Sequence, residues 1–267
     1  MAELVHPADR TPQQAHGIAA LSQAALVCGM SDVLTTAGVE AAVIGGVSLG
    51  SLIGATLAGA VDRRELFELL YHQRHLPHLP DDAPAQGMAI ANLSAAQDPA
   101  SYYGDRWPGV FLAADHGGGT DGNNRLIVLS GHLPALQAVA DAHPNTIRML
   151  DSYFGALHSP LAQYIADFMD ERISTMTFRA PEAVLCSPFT GAPVSTAEGV
   201  REYFVQNFVT ASSVCPILDE MARLDCRDVV GLGPGTRKDI AAGPLRVRSA
   251  LSAEGLREVV ESLAVTA

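Results

Sequence analysis

The stretch that decides the fold is Ala41-Ala42-Val43-Ile44-Gly45-Gly46-Val47-Ser48-Leu49-Gly50. A short apolar run of strand character enters Gly46-x-Ser48-x-Gly50, and Ser51 to Gly59 continues as a helix. Strand, tight turn and helix make the layout of a nucleophile elbow. Its serine sits on a strained turn, and glycines flank it where the backbone passes close to itself. Such a turn lifts Ser48 Oγ above the sheet edge and aims the Leu49 amide at the place where an oxyanion forms. Gly, Ser, Ala and Leu are common in this sequence, so the pentapeptide alone says little. The strand before it and the helix after it give it weight.

Composition bounds the rest. A chain of 267 residues with 48% hydrophobic side chains has material for one large α/β core and a smaller inserted subdomain. The apolar runs are short and broken by Gly, Ser or charge, so no membrane span is expected. Met1 to Arg10 is polar and has no signal-peptide core, which points to the cytoplasm. A net charge of -12 argues against nucleic acid as a partner, because phosphate contacts need a basic face. An acidic carrier would need a local basic patch. Arg63, Arg64 and Arg74 form one candidate, and Arg237, Lys238, Arg246 and Arg248 another; scattered solvated charges are the bland alternative. Cys28, Cys186, Cys215 and Cys226 show no paired spacing and read as reduced, mostly buried thiols.

Working outward, Met1 to Gln14 reads as loose and Ala15 to Ala37 as a helix closed by Gly38. Beyond the elbow, Asp62 is placed to cap a helix from Arg63 to Arg74, which ends before the proline-rich Leu76 to Pro84. From Gln86 the pattern becomes strand-like. Met88 to Leu93, Gly109 to Ala114, Arg125 to Ser130 and Thr146 to Leu150 read as strands, with a helix at Leu133 to Ala142. Pro160 to Met169, Ala197 to Phe208 and Ser252 to Ser262 read as helices. Ala183 to Ser187 and Val229 to Gly231 read as further strands of the main sheet.

A serine hydroxyl attacks only when a neighbouring base takes its proton, and an imidazole titrates in the range that permits this and its reverse. Nine histidines are available. His72, His75 and His78 have a metal-like spacing. They straddle a helix end and two prolines, with no Cys or carboxylate to complete a set, so no metal is expected. The Gly-rich Asp115 to Asn124 lacks Gly-Lys-Ser/Thr and reads as a hairpin loop rather than a phosphate cradle.

Taken in order, the motifs resemble the malonyl-CoA:acyl carrier protein transacylase family, which includes polyketide synthase acyltransferase domains. They are Gly46-Val47-Ser48-Leu49-Gly50 with Ala58-Gly59-Ala60-Val61-Asp62; Gln86-Gly87-Met88-Ala89; Gly122 to Gly131; His158-Ser159-Pro160-Leu161; Phe178-Arg179-Ala180-Pro181; Thr190-Gly191 with Pro193; and Gly233-Pro234-Gly235. The resemblance implies a hydrolase-like parallel-sheet core at 1–85 and 151–267 and a ferredoxin-like α+β subdomain at 86–150. It implies ping-pong acyl transfer in polyketide or related specialised biosynthesis. Ser48 would be nucleophile, His158 base and then acid, Asn207 the carbonyl partner of His158, and Leu49 an oxyanion amide. The partners implied are an acyl-CoA or acyl carrier protein donor and an acyl carrier protein acceptor. The phosphopantetheine thioester serves as the substrate arm, and no cofactor is implied.

Three departures shape the expectation. The family strand that ends in Gly-Gln-Gly and gives a second oxyanion amide has no counterpart here. Another amide, or a partner chain covering the vacant strand position, would have to stand in. Losing one such donor costs roughly 10² to 10³ in rate. The arginine that pairs with a malonyl carboxylate falls on Gln73, with Arg74 next to it; a local kink would let Arg74 serve. Val47 replaces the usual elbow histidine, and the wall before the base reads Gly155-Ala156-Leu157, roomier and less polar. All three changes point to an uncarboxylated acyl group. An acyl-thioester hydrolase and a catalytically silent docking subunit are the alternatives.

Overall fold

A computed structural model describes residues 11–79, 82–94, 96–150 and 155–264. Of the segment Met1–Gln14 expected to be loose, residues 1–10 lie outside these residues and Pro12–Gln14 are instead helical; Pro80 and Asp81 of the proline-rich stretch also lie outside. Helix α1 (Pro12–Thr36) starts earlier than its apolar spacing indicates, because Thr11 and Gln14 form a reciprocal capping box and Pro12 occupies the first turn. Gly38, at φ 81°, lets the chain leave the helix. Among the described helices α1 is long and apolar enough to cross a membrane by length and composition. One face of it packs on α2 (Leu49–Leu57) and α3 (Arg63–His72).

The strands β1 (Val43–Gly45), β6 (Val184–Cys186) and β7 (Pro193–Val194) form one sheet, with β1 and β6 parallel. Helices α5 (Gln163–Ile173) and α6 (Ala197–Val209) pack on each other and, with α1 to α3, enclose the main core around Ile53, Leu66, Leu69, Ile165, Met169 and Phe204. Burying one such side chain is worth roughly 1.5–3 kcal/mol.

Between these halves β2 (Gln86–Ser94), β3 (Val110–Gly118), β4 (Asn124–His132) and β5 (Ile147–Met149) form an antiparallel sheet in the order β5-β2-β4-β3. Helix α4 (Leu133–Ala142) covers one face through Leu136 and Val139. A late strand, β8 (Ser212–Ser213), joins this sheet parallel to β3. The Gly-rich segment is not all loop. Asp115 to Gly118 belong to β3, with a register shift between Asp115 and Gly118 where the Asp115 carboxylate accepts from Gly117 N–H and from Arg125. Only the tip, 119–123, turns.

The main sheet differs from expectation. β9 (Asp228–Leu232) does not pair with β1. It pairs in parallel with β10 (Arg246–Ala250), a strand whose alternating arginines hid it. Arg246 and Arg248 both bind Asp228 and pin this two-stranded sheet. Helix α7 (Cys215–Arg223), also absent from the expectations, lies under both sheets, and α8 (Ala253–Ala264) packs on β10.

Candidate active site

Ser48 follows β1 by three residues and opens α2 at φ 56° and ψ -124°, a conformation that L residues rarely hold. Strain of this kind costs about 1–3 kcal/mol and persists only where the surroundings fix it. Three contacts fix it here. Gly50 N–H donates to Val47 O at 2.9 Å, Ser51 N–H to Ser48 O at 2.9 Å, and the Ser51 hydroxyl to Gly46 O at 2.9 Å. A Cβ on Gly46 would lie 2.1 Å from Gly50 O, so the first glycine of the pentapeptide is obligatory; Gly50 faces open space. Leu49 N–H has no backbone acceptor among the described residues and sits at the positive end of α2. It is free to meet a developing negative charge.

The fold brings one histidine to this serine. His158 Nε2 lies 2.8 Å from Ser48 Oγ. His158 is 5% exposed and itself has φ 60°. Its N–H donates to Phe208 O at 2.7 Å, which ties the loop to the end of α6. Burial pushes the imidazole down from 6.5 to about 4. The backbone carbonyls of Thr210 and Asn207 pull the other way, and the nearby His116 reinforces burial. Nδ1 makes no hydrogen bond of regular geometry, and Asn207 Oδ1 is likewise buried without a partner. The ring is therefore neutral, with Nε2 placed to accept from Ser48 when Nδ1 carries the proton toward those carbonyls.

Gln86, which in the sequence is the first residue of the Gln86-Gly87-Met88-Ala89 motif, holds this loop. Its Oε1 accepts from Ala156 N–H at 3.2 Å, and its Nε2 reaches Leu161 O at 3.5 Å. A polar side chain at the first residue of a strand was the signal available. Ser159 Oγ closes the same loop on Ala156 O at 2.6 Å. Tyr203, on α6, donates to Ser51 O at 3.3 Å beneath the elbow.

The other site residues fall as follows. Gln73 is buried at the end of α3, and its Nε2 meets His16 Nε2 at 3.1 Å; α1 thus adds an imidazole to this corner. The Arg74 guanidinium lies 4.8 Å from the centre of the Tyr71 ring. Val47 packs into the core on both sides of the sheet. Leu157 belongs to the main core. Gly155 opens no room, because a Cβ there would meet Tyr164 Oη at 3.0 Å and Ile165 Cδ1 at 3.2 Å.

His72, His75 and His78 diverge, onto Phe168, Tyr71 and Gln13. Neither basic patch forms as a run of unpaired cations. Arg63 pairs with Asp32, Arg64 with Glu68, Arg237 with Asp239, and Arg246 and Arg248 with Asp228.

An α/β fold with a serine on a strained elbow and a buried imidazole against it suits acyl chemistry through an acyl-serine. No family model matches the sequence, and no curated protein matches it. Solved structures do match in fold. The malonyl-CoA:ACP transacylase of Synechocystis has a TM-score of 0.75 and 16% identity, over 92% of this chain and 81% of that one. A malonyl-transacylase in complex with its type II PKS acyl-carrier protein has a TM-score of 0.76 and 16% identity, over 92% and 81%. The acyltransferase domain of the second module of the salinomycin polyketide synthase has a TM-score of 0.74 and 19% identity, over 97% of this chain and 60% of that one.

Proposed function

We propose that this chain is a serine acyltransferase that moves an acyl group between thioesters of CoA or of an acyl carrier protein. The observation that carries the reading is the 2.8 Å contact between His158 Nε2 and Ser48 Oγ on a strained elbow. As Oγ attacks the thioester carbonyl, its proton passes to Nε2 and the carbonyl π pair moves onto oxygen, facing Leu49 N–H. Collapse breaks the C–S bond, and the leaving thiolate takes the proton from His158. The result is acyl-Ser48 and a free thiol. A second phosphopantetheine thiol, deprotonated by the same imidazole, reverses these steps and carries the acyl group away. Ping-pong kinetics follow from a single serine serving both halves.

In this reading residues 1–85 and 151–267 are the hydrolase-like core and 86–150 the ferredoxin-like insert. His158 is oriented by carbonyls of Asn207 and Thr210, and the enzyme works in the cytoplasm in polyketide or related biosynthesis. We assign an uncarboxylated acyl group, although the similar structures include malonyl-transacylases. Support comes from Gln73, which stands where the resemblance expects an arginine and is engaged by His16. Leaving a buried carboxylate without its cation costs roughly 3–5 kcal/mol. The roomy wall expected at Gly155 gives no support, since Tyr164 and Ile165 fill that space.

The test is intact-mass competition between malonyl and butyryl thioesters for Ser48, followed by transfer to carrier thiol. Butyryl should load preferentially, and Gln73→Arg should shift loading toward malonyl. A wild-type preference for malonyl would refute the acyl assignment, and release of free acid instead of transfer would identify a hydrolase.

A further inference from the structure

The residues after α6 serve two places at once. Phe208 O accepts from His158 N–H at 2.7 Å, and the carbonyls of Asn207 and Thr210 act on the imidazole. Thr210 is already extended, at φ -109° and ψ 134°. Just beyond it, Ser212 and Ser213 pair with Ala114 and Asp115 of β3, and Val214 N–H donates to Asp115 O at 3.1 Å. Residues 210–213 thus form a taut strap between the base and the antiparallel sheet. Ala114, Leu157 and Phe208 pack in one cluster beside it. The imidazole depends on this backbone, because Nδ1 and Asn207 Oδ1 are both buried without a partner.

The strap meets β3 at a bulge. From Asp115 to Gly118 the chain advances three residues while β4 advances two, from Ile127 to Arg125. Gly117 turns there at φ 74°. Asp115 is 7% exposed, and its carboxylate spans the bulge. Oδ1 accepts from Gly117 N–H at 2.9 Å and from Arg125 Nε at 3.2 Å, and Oδ2 accepts from Arg125 Nη2. The ion pair therefore joins the residue before the bulge on β3 to the residue after it on β4. A buried ion pair adds little net stability over an apolar pair, and its best attested use is to fix register. Bulges also re-aim side chains beside active sites. His116 lies inside this one and is the titratable group of β3 that acts on the His158 ring. Ser48 faces the ring from the elbow, and the Asn207 carbonyl faces it from α6.

We propose that Asp115, through its ion pair with Arg125, is a positioning residue for His158. The pair locks the bulge, the bulge fixes where β8 registers on β3, and the strap carries that register to the carbonyls around the imidazole. A slip of one residue along an extended chain is about 3.3 Å. A misplacement of about 1 Å at a reacting group can cost roughly 10²-fold in rate. The base therefore tolerates far less than one step of slip. The inference rests on the role proposed for His158 in acyl transfer, but its test reads the imidazole directly.

The measurement is NMR titration of the His158 ring in the full chain without substrate, assigned with His158→Gln. Wild type should titrate at about 4. Asp115→Asn removes the ion pair. Val214→Pro removes one bond, from Val214 N–H to Asp115 O, at a φ of -79° that proline adopts, so the fold tolerates it. Both variants should admit water and move the titration toward 6.5 by about one pH unit or more. Both should lower kcat for Ser48 acylation about tenfold with little change in KM. Asp228→Asn, which breaks the ion pairs that pin β9 to β10, should lower the melting temperature and leave the His158 titration in place. An unmoved titration in Val214→Pro, or an equal move in Asp228→Asn, would overturn the proposal. If Asp115→Asn does not fold, Val214→Pro and Arg125→Gln carry the same test. A chain whose His158 responds as expected but whose Ser48 takes no acyl group would uphold the strap and refute acyl transfer instead.

Discussion

His158 loses its water on folding, and in the proposed reaction this sets the pH at which Ser48 is activated. Its value falls to about 4 because burial disfavours the imidazolium. The neutral base persists well below the pH at which an exposed histidine would already be charged. Acylation measured as kcat/KM against pH should thus keep its rate down through pH 6, with an acid limb far below 6.5. The same shift carries a stability consequence. The folded value lies below the unfolded 6.5, so the contribution is fully present above 6.5 and is lost as pH falls toward 4. The loss, complete below about pH 4, amounts to about 3 kcal/mol by the linkage relation. Urea titrations at pH 7 and pH 4.5 should show a loss in wild type that is smaller in His158→Gln. Ser48→Ala should abolish the acyl-enzyme mass shift, and His158→Ala should slow acylation by roughly 10³-fold or more, as base removal does in related triads. Full labelling of Ser48→Ala would refute the nucleophile. The sequence alone made Ser48 readable, because glycine spacing is local. His158 needed the resemblance, since among nine histidines only the folded chain shows which one reaches the hydroxyl. The surroundings of Gly155 and Gln73 were not readable, because Tyr164 and His16 arrive from other helices.

The elbow and the base loop are held by different devices, and each predicts a distinct failure. A methyl group on Gly46 collides with Gly50 O, so Gly46→Ala should unfold the elbow and lower the melting temperature by many degrees. Gly50→Ala meets nothing and gains up to about 1 kcal/mol of helix propensity, so it should melt at or above wild type. Differential scanning calorimetry of the pair separates a steric glycine from a permissive one. Gln86→Leu keeps the volume but removes both hydrogen bonds to the 155–162 loop. It should lower kcat for acyl-Ser48 formation by about tenfold with little change in KM, the mark of a misplaced base rather than lost substrate binding. Elements with strong periodicity or a cap, such as α3 behind Asp62 and α4 behind Leu133-Pro134, were legible in the sequence. Two-residue strands such as β7 and β8 carry no period to read, and β10 alternates arginine with small residues like an exposed edge.

Strand pairing across the chain was the least legible feature. Nothing local in Val229 to Gly231 tells that its partner is β10 and not the elbow strand; the ion pairs of Asp228 decide it. The antiparallel sheet of β2 to β5 was visible as a change in hydrophobic period. That it borrows β8 was not. This borrowed pair reaches beyond architecture. Ala114 and Asp115 align with Ser212 and Ser213, so this antiparallel sheet is complete only after almost a hundred intervening residues have been made and placed. Its loop-closure entropy must be met before the pairing returns any stabilisation, which makes the last step of folding slow and non-local. The two halves of the chain should then melt in one transition, seen as equal calorimetric and van't Hoff enthalpies. A nascent chain released before Ser213 would hold β3 with a bare edge. It would be a client for chaperones until the last quarter of the sequence emerges.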